Sequence, residues 1–75
     1  MRRLDPEALE TVCAAIASRT DRITAHDSEH RHDALERRRV ELGGMLELAR
    51  RIDDWRLVRF VEDHKDALTR LIDAD

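Results

Sequence analysis

The chain has 75 residues, of which 41% are charged, with 14 basic and 17 acidic side chains and a net charge of −3. This length predicts a single small domain over residues 1–75, and the negative charge disfavours nucleic acid as the main partner. No run approaches the roughly 18 apolar residues that a membrane-spanning helix needs.

The aromatic content limits the core. Trp55 and Phe60 are the only large aromatic residues, so we expect a thin, aliphatic core. A core of this size rarely supplies more than about 3–5 kcal/mol without further support, which favours self-association. Cys13 has no second cysteine to pair with, and acidic residues rather than an apolar leader follow Arg2 and Arg3. We therefore expect a cytoplasmic protein.

The first predicted helix covers about residues 5–24. Asp5 suits the N-cap and Pro6 the first helical position. Apolar residues then recur at spacings of three and four, which is typical of a helix with one buried face. This stripe contains Leu9, Val12, Cys13, Ile16 and Ile23.

Two further helices are predicted at about residues 28–52 and 54–73. Asp53-Asp54 marks the break between them, with Asp53 as the expected cap. The third helix has apolar spacings that alternate between four and three, and nothing in the chain indicates a strand or a hairpin. The sequence therefore predicts an all-α fold.

The polar middle of the chain leaves two architectures open. Residues 19–39 hold eleven charged residues and three of the four histidines. The favoured interpretation is a compact three-helix bundle. The alternative is one long helix over residues 5–52, about 70 Å long at 1.5 Å per residue, with a short helix over residues 54–73 in an intertwined dimer. In the bundle Ile16 lies near Arg37, whereas in the long helix about 30 Å separates them.

Histidine spacing suggests a metal site. His26 and His30 are four residues apart, so on a helix they face the same side and could chelate zinc or another transition metal. Both continue the apolar stripe of the first helix. The alternative is that His26 and His30 are ordinary polar residues at a helix end, in which case no cofactor is expected.

Three further features of the sequence are a set of arginines, a glycine pair and a series of acid–arginine pairs. Arg31 and the run Arg37–Arg39 could contact nucleic acid, although Glu36 and Glu41 dilute their charge. The pair Gly43-Gly44 marks a helix end or kink, or it allows close approach of a bulky neighbour such as His64 or Phe60, which is the favoured interpretation. Four acid–arginine pairs at a spacing of four residues are expected to support the helices: Asp27–Arg31, Asp33–Arg37, Glu47–Arg51 and Asp66–Arg70.

The functional prediction is a non-enzymatic helical protein–protein interaction module, acting as an adaptor, regulator or small assembly subunit and associating with itself. Cys13 lies among apolar helical residues, as an inert buried thiol would, and no catalytic arrangement accompanies it. An exposed aromatic is a common interface anchor. The predicted interface residues are Leu9, Val12, Ile16, Trp55, Val58 and Phe60. A metal-binding protein using His26 and His30 is the alternative function, and a nucleic-acid-binding regulator is the third.

Overall fold

The chain forms a three-helix bundle, seen in a computed structural model that describes residues 4–25 and 29–74. The helices are α1 (Pro6–Ala25), α2 (Arg31–Ile52) and α3 (Trp55–Ala74). This confirms the all-α prediction, and the described residues contain no strand. The sequence leaves open whether residues 24–28 form a turn or continue the helix. Thr24 and Ala25 belong to α1, and residues 26–28 lie outside the described residues. None of the described helices is long and apolar enough to cross a membrane.

Contacts between α1 and α2 exclude the extended alternative. The Arg38 guanidinium donates to the backbone carbonyl of Ile16 over 3.2 Å and to the Thr20 hydroxyl over 3.1 Å. The longest dimension of the molecule is 42 Å, well short of the roughly 70 Å of a helix over residues 5–52. The first helix therefore folds back on the second, as the compact bundle requires.

The start of α1 has the cap that the sequence predicts, whereas the start of α3 has a different one. The Asp5 carboxylate accepts a 2.7 Å hydrogen bond from the Ala8 amide, which confirms the predicted cap of α1. Asp53 does not cap α3: it ends α2 in the left-handed conformation (φ 62°), where its amide closes the last turn. Asp54 caps α3 instead, accepting a hydrogen bond from the Arg56 amide.

The apolar core belongs mainly to α2 and α3. Among the described residues nine apolar side chains are buried: four come from α2, four from α3 and one, Ile16, from α1. The eight residues of the α2–α3 seam are Leu35, Leu42, Leu46, Ala49, Leu57, Val61, Leu68 and Ile72. Burial of this apolar area is the main force that holds α2 and α3 together.

The glycine pair does not serve the packing that the sequence suggested. A Cβ atom added at Gly43 or Gly44 would meet no other atom within 4 Å. The prediction that His64 or Phe60 lies against the glycine backbone is therefore wrong. Both residues are in regular helix, where each glycine costs roughly 1 kcal/mol relative to alanine.

Candidate protein-binding groove

An apolar groove of about 320 Å³ runs between α1 and α2 and extends to α3. Val12 and Ala15 line it from α1, whereas Leu57 and Val61 line it from α3. Every lining residue is apolar. The complete set is Val12, Ala15, Ile16, Met45, Leu48, Ala49, Ile52, Leu57 and Val61.

Leu48 gives the groove an accessible apolar edge. Its side chain is 59% exposed, although its neighbour Ala49 is fully buried. Ala15 is exposed on the facing side of the groove, and Val12 and Met45 are half-buried. Exposed apolar surface that forms a concave patch is typical of interaction sites.

Polar contacts hold α1 at two places against the helical hairpin that α2 and α3 form. At its C-terminal end, Arg38 is only 1% exposed and donates to Thr20, to the carbonyl of Ile16 and to the Glu41 carboxylate over 3.0 Å. A charged group that is removed from water needs such partners to offset its desolvation. Arg38 therefore fixes α1 against α2 from within the core. The groove residues Val12 and Ala15 lie between this contact and a second one.

The second contact joins the start of the chain to the α2–α3 turn. Asp54 has no exposed side-chain area, and its carboxylate accepts hydrogen bonds from the Leu4 amide over 3.2 Å and from the Arg56 guanidinium over 2.9 Å. Arg56 also donates to the Leu4 carbonyl over 2.8 Å. The hydrogen bond from the Arg56 side chain is the main reason that the pKa of Asp54 falls to about 2.

The predicted basic run does not form a patch. Arg38 is buried, Arg39 pairs with Glu36 at 3.3 Å, and only Arg37 is exposed without a partner among the described residues. The helix turns by about 100° per residue, so neighbours in a run face different environments. This division weakens the nucleic-acid interpretation.

Three of the four predicted pairs at a spacing of four residues are absent from the described part of the chain: Asp33–Arg37, Glu47–Arg51 and Asp66–Arg70. Its arginines pair at a spacing of three instead, as in Arg38–Glu41 and Arg50–Glu47. Asp27 lies outside the described residues, so the Asp27–Arg31 pair stays a prediction.

The two histidines of the predicted metal site are not seen together. His26 lies outside the described residues, and His30 is exposed beside Glu29, with its Nε2 atom 3.4 Å from a carboxylate oxygen. Among residues 4–25 and 29–74, no three histidine, cysteine or carboxylate side chains come together as metal ligands would. Metal binding stays a prediction, and elemental analysis of the protein before and after His30→Ala tests it.

The last two residues that the sequence singles out are Cys13 and His64. Burial is the main cause that raises the pKa of the half-buried Cys13 thiol, and the Asp54 charge adds to it. A raised pKa disfavours the reactive thiolate at neutral pH. His64 places its ring 4.3 Å from that of Phe60 and its Nδ1 atom 3.0 Å from the Phe60 carbonyl oxygen, to which it donates.

The predicted interface residues fall into two groups. Val12 and Ile16 line the groove, and Trp55 is 61% exposed at the start of α3. The other three pack against the core as partly buried side chains: Leu9, Val58 and Phe60. Sequence reasoning missed Leu48, which lies between the exposed Glu47 and the buried Ala49. No family model, curated protein or solved structure matches the chain.

Proposed function

We propose that the chain is a non-enzymatic protein–protein interaction module whose groove takes up an apolar side chain of a partner, including that of another copy of itself. The observation that carries this proposal is the groove of about 320 Å³, lined only by apolar residues and bordered by the 59% exposed Leu48. A partner that covered the groove would remove apolar surface from water, which stabilises a complex.

The arrangement of α1 supports the same proposal. Arg38 binds Ile16 and Thr20 of α1, and the Asp54–Arg56 pair binds Leu4 just before the helix. These two contacts lie on either side of the groove residues Val12 and Ala15. The charged groups with shifted pKa values form this structural pair and do not line the groove. The groove therefore offers shape and apolar area rather than acid–base chemistry.

The role that fits such a module is an adaptor, a regulator or a small assembly subunit. We place it in the cytoplasm, a location that the unpaired Cys13 supports. A partner helix suits a site bounded by helices, because anchors at helical spacing can enter a groove together.

Leu48→Asp tests this function. Because Leu48 is already largely exposed, the substitution is expected to preserve the helices while placing a charge at the edge of the groove. Light scattering is measured between about 10 μM and 1 mM, the range suited to a small, weak interface. We expect the mass of the wild-type protein to rise above the 8.8 kDa of one chain. The mass of Leu48→Asp should stay at that of one chain.

Val40→Asp is the matched control. Val40 is 73% exposed on the same helix but does not line the groove, so this variant should associate as the wild type does. Equal behaviour of Leu48→Asp, Val40→Asp and the wild type would remove the groove from the proposed function.

A further inference from the structure

One exposed row of residues on α2 runs along the open edge of the groove. We define the α2 row as Arg37, Glu41, Gly44, Leu48 and Arg51. Its members are spaced alternately by four and three residues, which is the spacing of a helix face that packs against another helix. Four of them are exposed, and the side chain of the fifth, Glu41, is 39% exposed. The α2 row is therefore a packing face without a partner helix in the described part of the chain.

The α2 row contains both a projecting side chain and a space that fits one. The Leu48 side chain is 59% exposed. One turn earlier, Gly44 has no side chain, and a Cβ atom added there would meet nothing within 4 Å. Two copies of α2 that run antiparallel about a point midway between these residues place Leu48 of each copy over Gly44 of the other. In that register the two helices can approach closely.

The charges of the α2 row agree with the same register. It places Glu41 of each copy opposite Arg51 of the other. Arg51 has no acidic partner among the described residues, and the Glu41 carboxylate binds Arg38 through Oε1, which leaves Oε2 for a second guanidinium. Arg37 lies level with the α2–α3 turn of the second copy, where Asp53 is exposed. The charges that face one another along the row are thus opposite in sign.

Two other alignments of the α2 row bring like charges together. A parallel pair places each charge opposite its own counterpart, so that Glu41 faces Glu41 and Arg51 faces Arg51. An antiparallel pair centred on Gly44 places Arg37 opposite Arg51 and Glu41 opposite Glu47. Like charges held opposite one another cost free energy and disfavour an alignment. The charges therefore favour the register in which Leu48 lies over Gly44.

Glu47 and Val40 lie at the margin of the α2 row, on the side away from the groove. They are turned about 100° and 80° from Leu48 around the helix. The Glu47 carboxylate lies 3.2 Å from the Arg50 guanidinium, which offsets its charge near Glu47 of the second copy. Val40 lies beside Arg51 of the second copy. Val40→Asp therefore brings no like charges together and stays a suitable control.

The level of α1 follows from its two polar contacts. Leu4 meets Asp54, and Thr20 meets Arg38. Val12 is midway between Leu4 and Thr20, just as the centre of the antiparallel pair is midway between Arg38 and Asp54. The twofold axis that relates the two copies therefore passes at the level of Val12.

That axis brings a second set of opposite charges to the same level. Asp5 and Arg19 lie seven residues before and after Val12, so both are on the groove side of α1. Arg19 of each copy is then level with Asp5 of the other. Both side chains are exposed, and neither forms an ion pair with another described residue. Charges on α1 thus match in the register that the α2 row favours.

We propose that two copies of this chain form a twofold-symmetric dimer, in which the α2 rows pack antiparallel with Leu48 of each copy over Gly44 of the other. Glu41 of each copy binds Arg51 of the other on both sides of this apolar centre. The dimer rests on the proposed function of the groove and names its occupant. The side chain that covers the open edge of the groove is Leu48 of the second copy.

This pairing closes the groove. Met45 and Ile52, which line it from α2, are turned about 60° and 40° from Leu48 toward the same side of the helix. A twofold axis across an antiparallel pair keeps that side the same in both copies. The two grooves therefore open toward one another and share one apolar space. Because each copy uses the same surface, association ends at the dimer.

Light scattering measures the size of the assembly. The α2 row spans about 21 Å at 1.5 Å per residue, and an interface around one such helix pair belongs to the class near or below about 1,200 Å² in total, in which complexes are weak. We therefore expect dimer formation within the concentration range given above. The mass should rise from the 8.8 kDa of one chain to twice that value and stop there.

Arg51→Glu tests the register through its charges. The new carboxylate faces Glu41 of the second copy, so self-association should weaken at least about tenfold. Arg59→Glu is the matched control, because it changes the net charge equally at an exposed site on α3 that is turned about 160° from the groove residue Val61. It should stay within about twofold of the wild type, since distant exposed charges are screened.

Salt separates the local repulsion from the net charge. Raising NaCl from about 50 mM to about 500 mM screens exposed charges. It should strengthen the association of Arg51→Glu more than that of Arg59→Glu, although both variants carry the same net charge. Circular dichroism and urea midpoints equal to those of the wild type show that both variants remain folded.

Disulfide cross-linking tests the direction of the two helices. In a Cys13→Ala background, Gly44→Cys and Leu48→Cys are mixed and exposed to oxidised glutathione. The antiparallel register sets one new thiol opposite the other, within the short distance that a disulfide requires, and the other half of the interface keeps its Leu48–Gly44 contact. The mixed disulfide should exceed the two like disulfides together by about fivefold. A parallel pair would instead cross-link each variant with itself.

Several outcomes overturn this dimer. If Leu48→Asp blocks association while Arg51→Glu behaves as Arg59→Glu does, the groove binds in another register, and only the proposed function stands. Growth beyond twice the mass of one chain, or like disulfides as abundant as the mixed one, also contradicts the dimer. If Leu48→Asp, Val40→Asp and the wild type all keep the same mass, the proposed function of the groove fails with it.

Discussion

α1 and the α2–α3 hairpin are held by different kinds of interaction. The hairpin is joined by eight buried apolar residues, four from each helix. α1 adds one, Ile16. It is tied by the buried Arg38, which binds within its C-terminal half, and by the Asp54–Arg56 pair, which binds Leu4 just before it. The attachment of α1 therefore depends on charge and hydrogen bonding, whereas that of α3 depends on apolar area.

This difference explains where the groove lies. Polar contacts fix α1 at two places, and between them Val12 and Ala15 face Met45 and Leu48 across an open apolar space. In the hairpin, buried aliphatic side chains meet along the whole seam. An open apolar groove thus forms on the side of the bundle where the attachment is polar.

The largest expected effect is in the hairpin. Leu42 is fully buried, and Leu42→Ala should cost about 2–5 kcal/mol through lost burial and the cavity left behind. That loss is comparable with the whole stability of a domain of this size, about 3–5 kcal/mol. Urea unfolding followed by circular dichroism should show a largely unfolded variant. The exposed control Val40→Ala should stay within about 0.5 kcal/mol, and similar midpoints for both would contradict the role of the seam.

A smaller effect is expected where α1 meets Arg38. Thr20→Val keeps the shape of the side chain but removes the oxygen that accepts from the Arg38 Nε atom. A buried donor left without its acceptor costs about 1–3 kcal/mol. Amide hydrogen exchange should speed up more in α1 than in α2 or α3.

Thr20→Ser provides the control for that hydrogen bond. Serine keeps the hydroxyl and should therefore preserve slow exchange in α1. The explanation is wrong if Thr20→Ser and Thr20→Val accelerate exchange in α1 equally.

Acid should loosen the other end of α1. The pKa of Asp54 is about 2 in the folded protein, compared with 3.8 for an unperturbed aspartate. Because the folded pKa is the lower one, the contribution of Asp54 to stability is complete above about pH 4 and is lost as the pH falls toward 2. Asp54→Asn should remove this part of the pH dependence of the urea midpoint.

Asp53→Asn is the matched control for the acid effect. Its carboxylate is exposed and adjacent to Asp54, and asparagine tolerates the left-handed conformation of residue 53. This variant should lose stability between pH 4 and pH 2 as the wild type does. The same flat profile for both variants would show that Asp54 is not the group responsible.

Local patterns in the sequence were enough to predict the helices. The cap at Asp5 and the apolar spacing of α3 depend only on residues close in sequence, and the structure confirms both. The pairing of helices followed from giving each apolar stripe a partner. Local patterns did not predict that Asp54, rather than Asp53, caps α3. That outcome depends on the left-handed conformation of Asp53.

The polar contacts of α1 were harder to foresee. The Asp54–Arg56 pair binds the backbone of Leu4, about fifty residues away in sequence, and no local pattern specifies that meeting. Arg38 did carry a signal: it lies three residues after Leu35 and four before Leu42, on the buried face of α2. The groove is a gap between packed helices. Its size depends on how closely the helices approach one another.

The smallest expected effect concerns the exposed side of α2. Gly44→Ala should stabilise the chain by roughly 1 kcal/mol, because alanine favours a helix over glycine and its methyl group meets no atom within 4 Å. Gly43→Ala should give a similar gain for the same reason. Urea midpoints measure both, and a loss of stability in either variant would show that the space above the glycine backbone is occupied.

The two glycines also differ in a way that bears on the groove. Gly44 precedes Leu48 by four residues and so lies on the same side of α2, whereas Gly43 is turned about 100° from Gly44. A bulkier Gly44→Gln should therefore reduce association more than Gly43→Gln, although both raise helix propensity. Because that propensity gain is shared, any difference in association reports how closely a docked helix approaches α2 at residue 44.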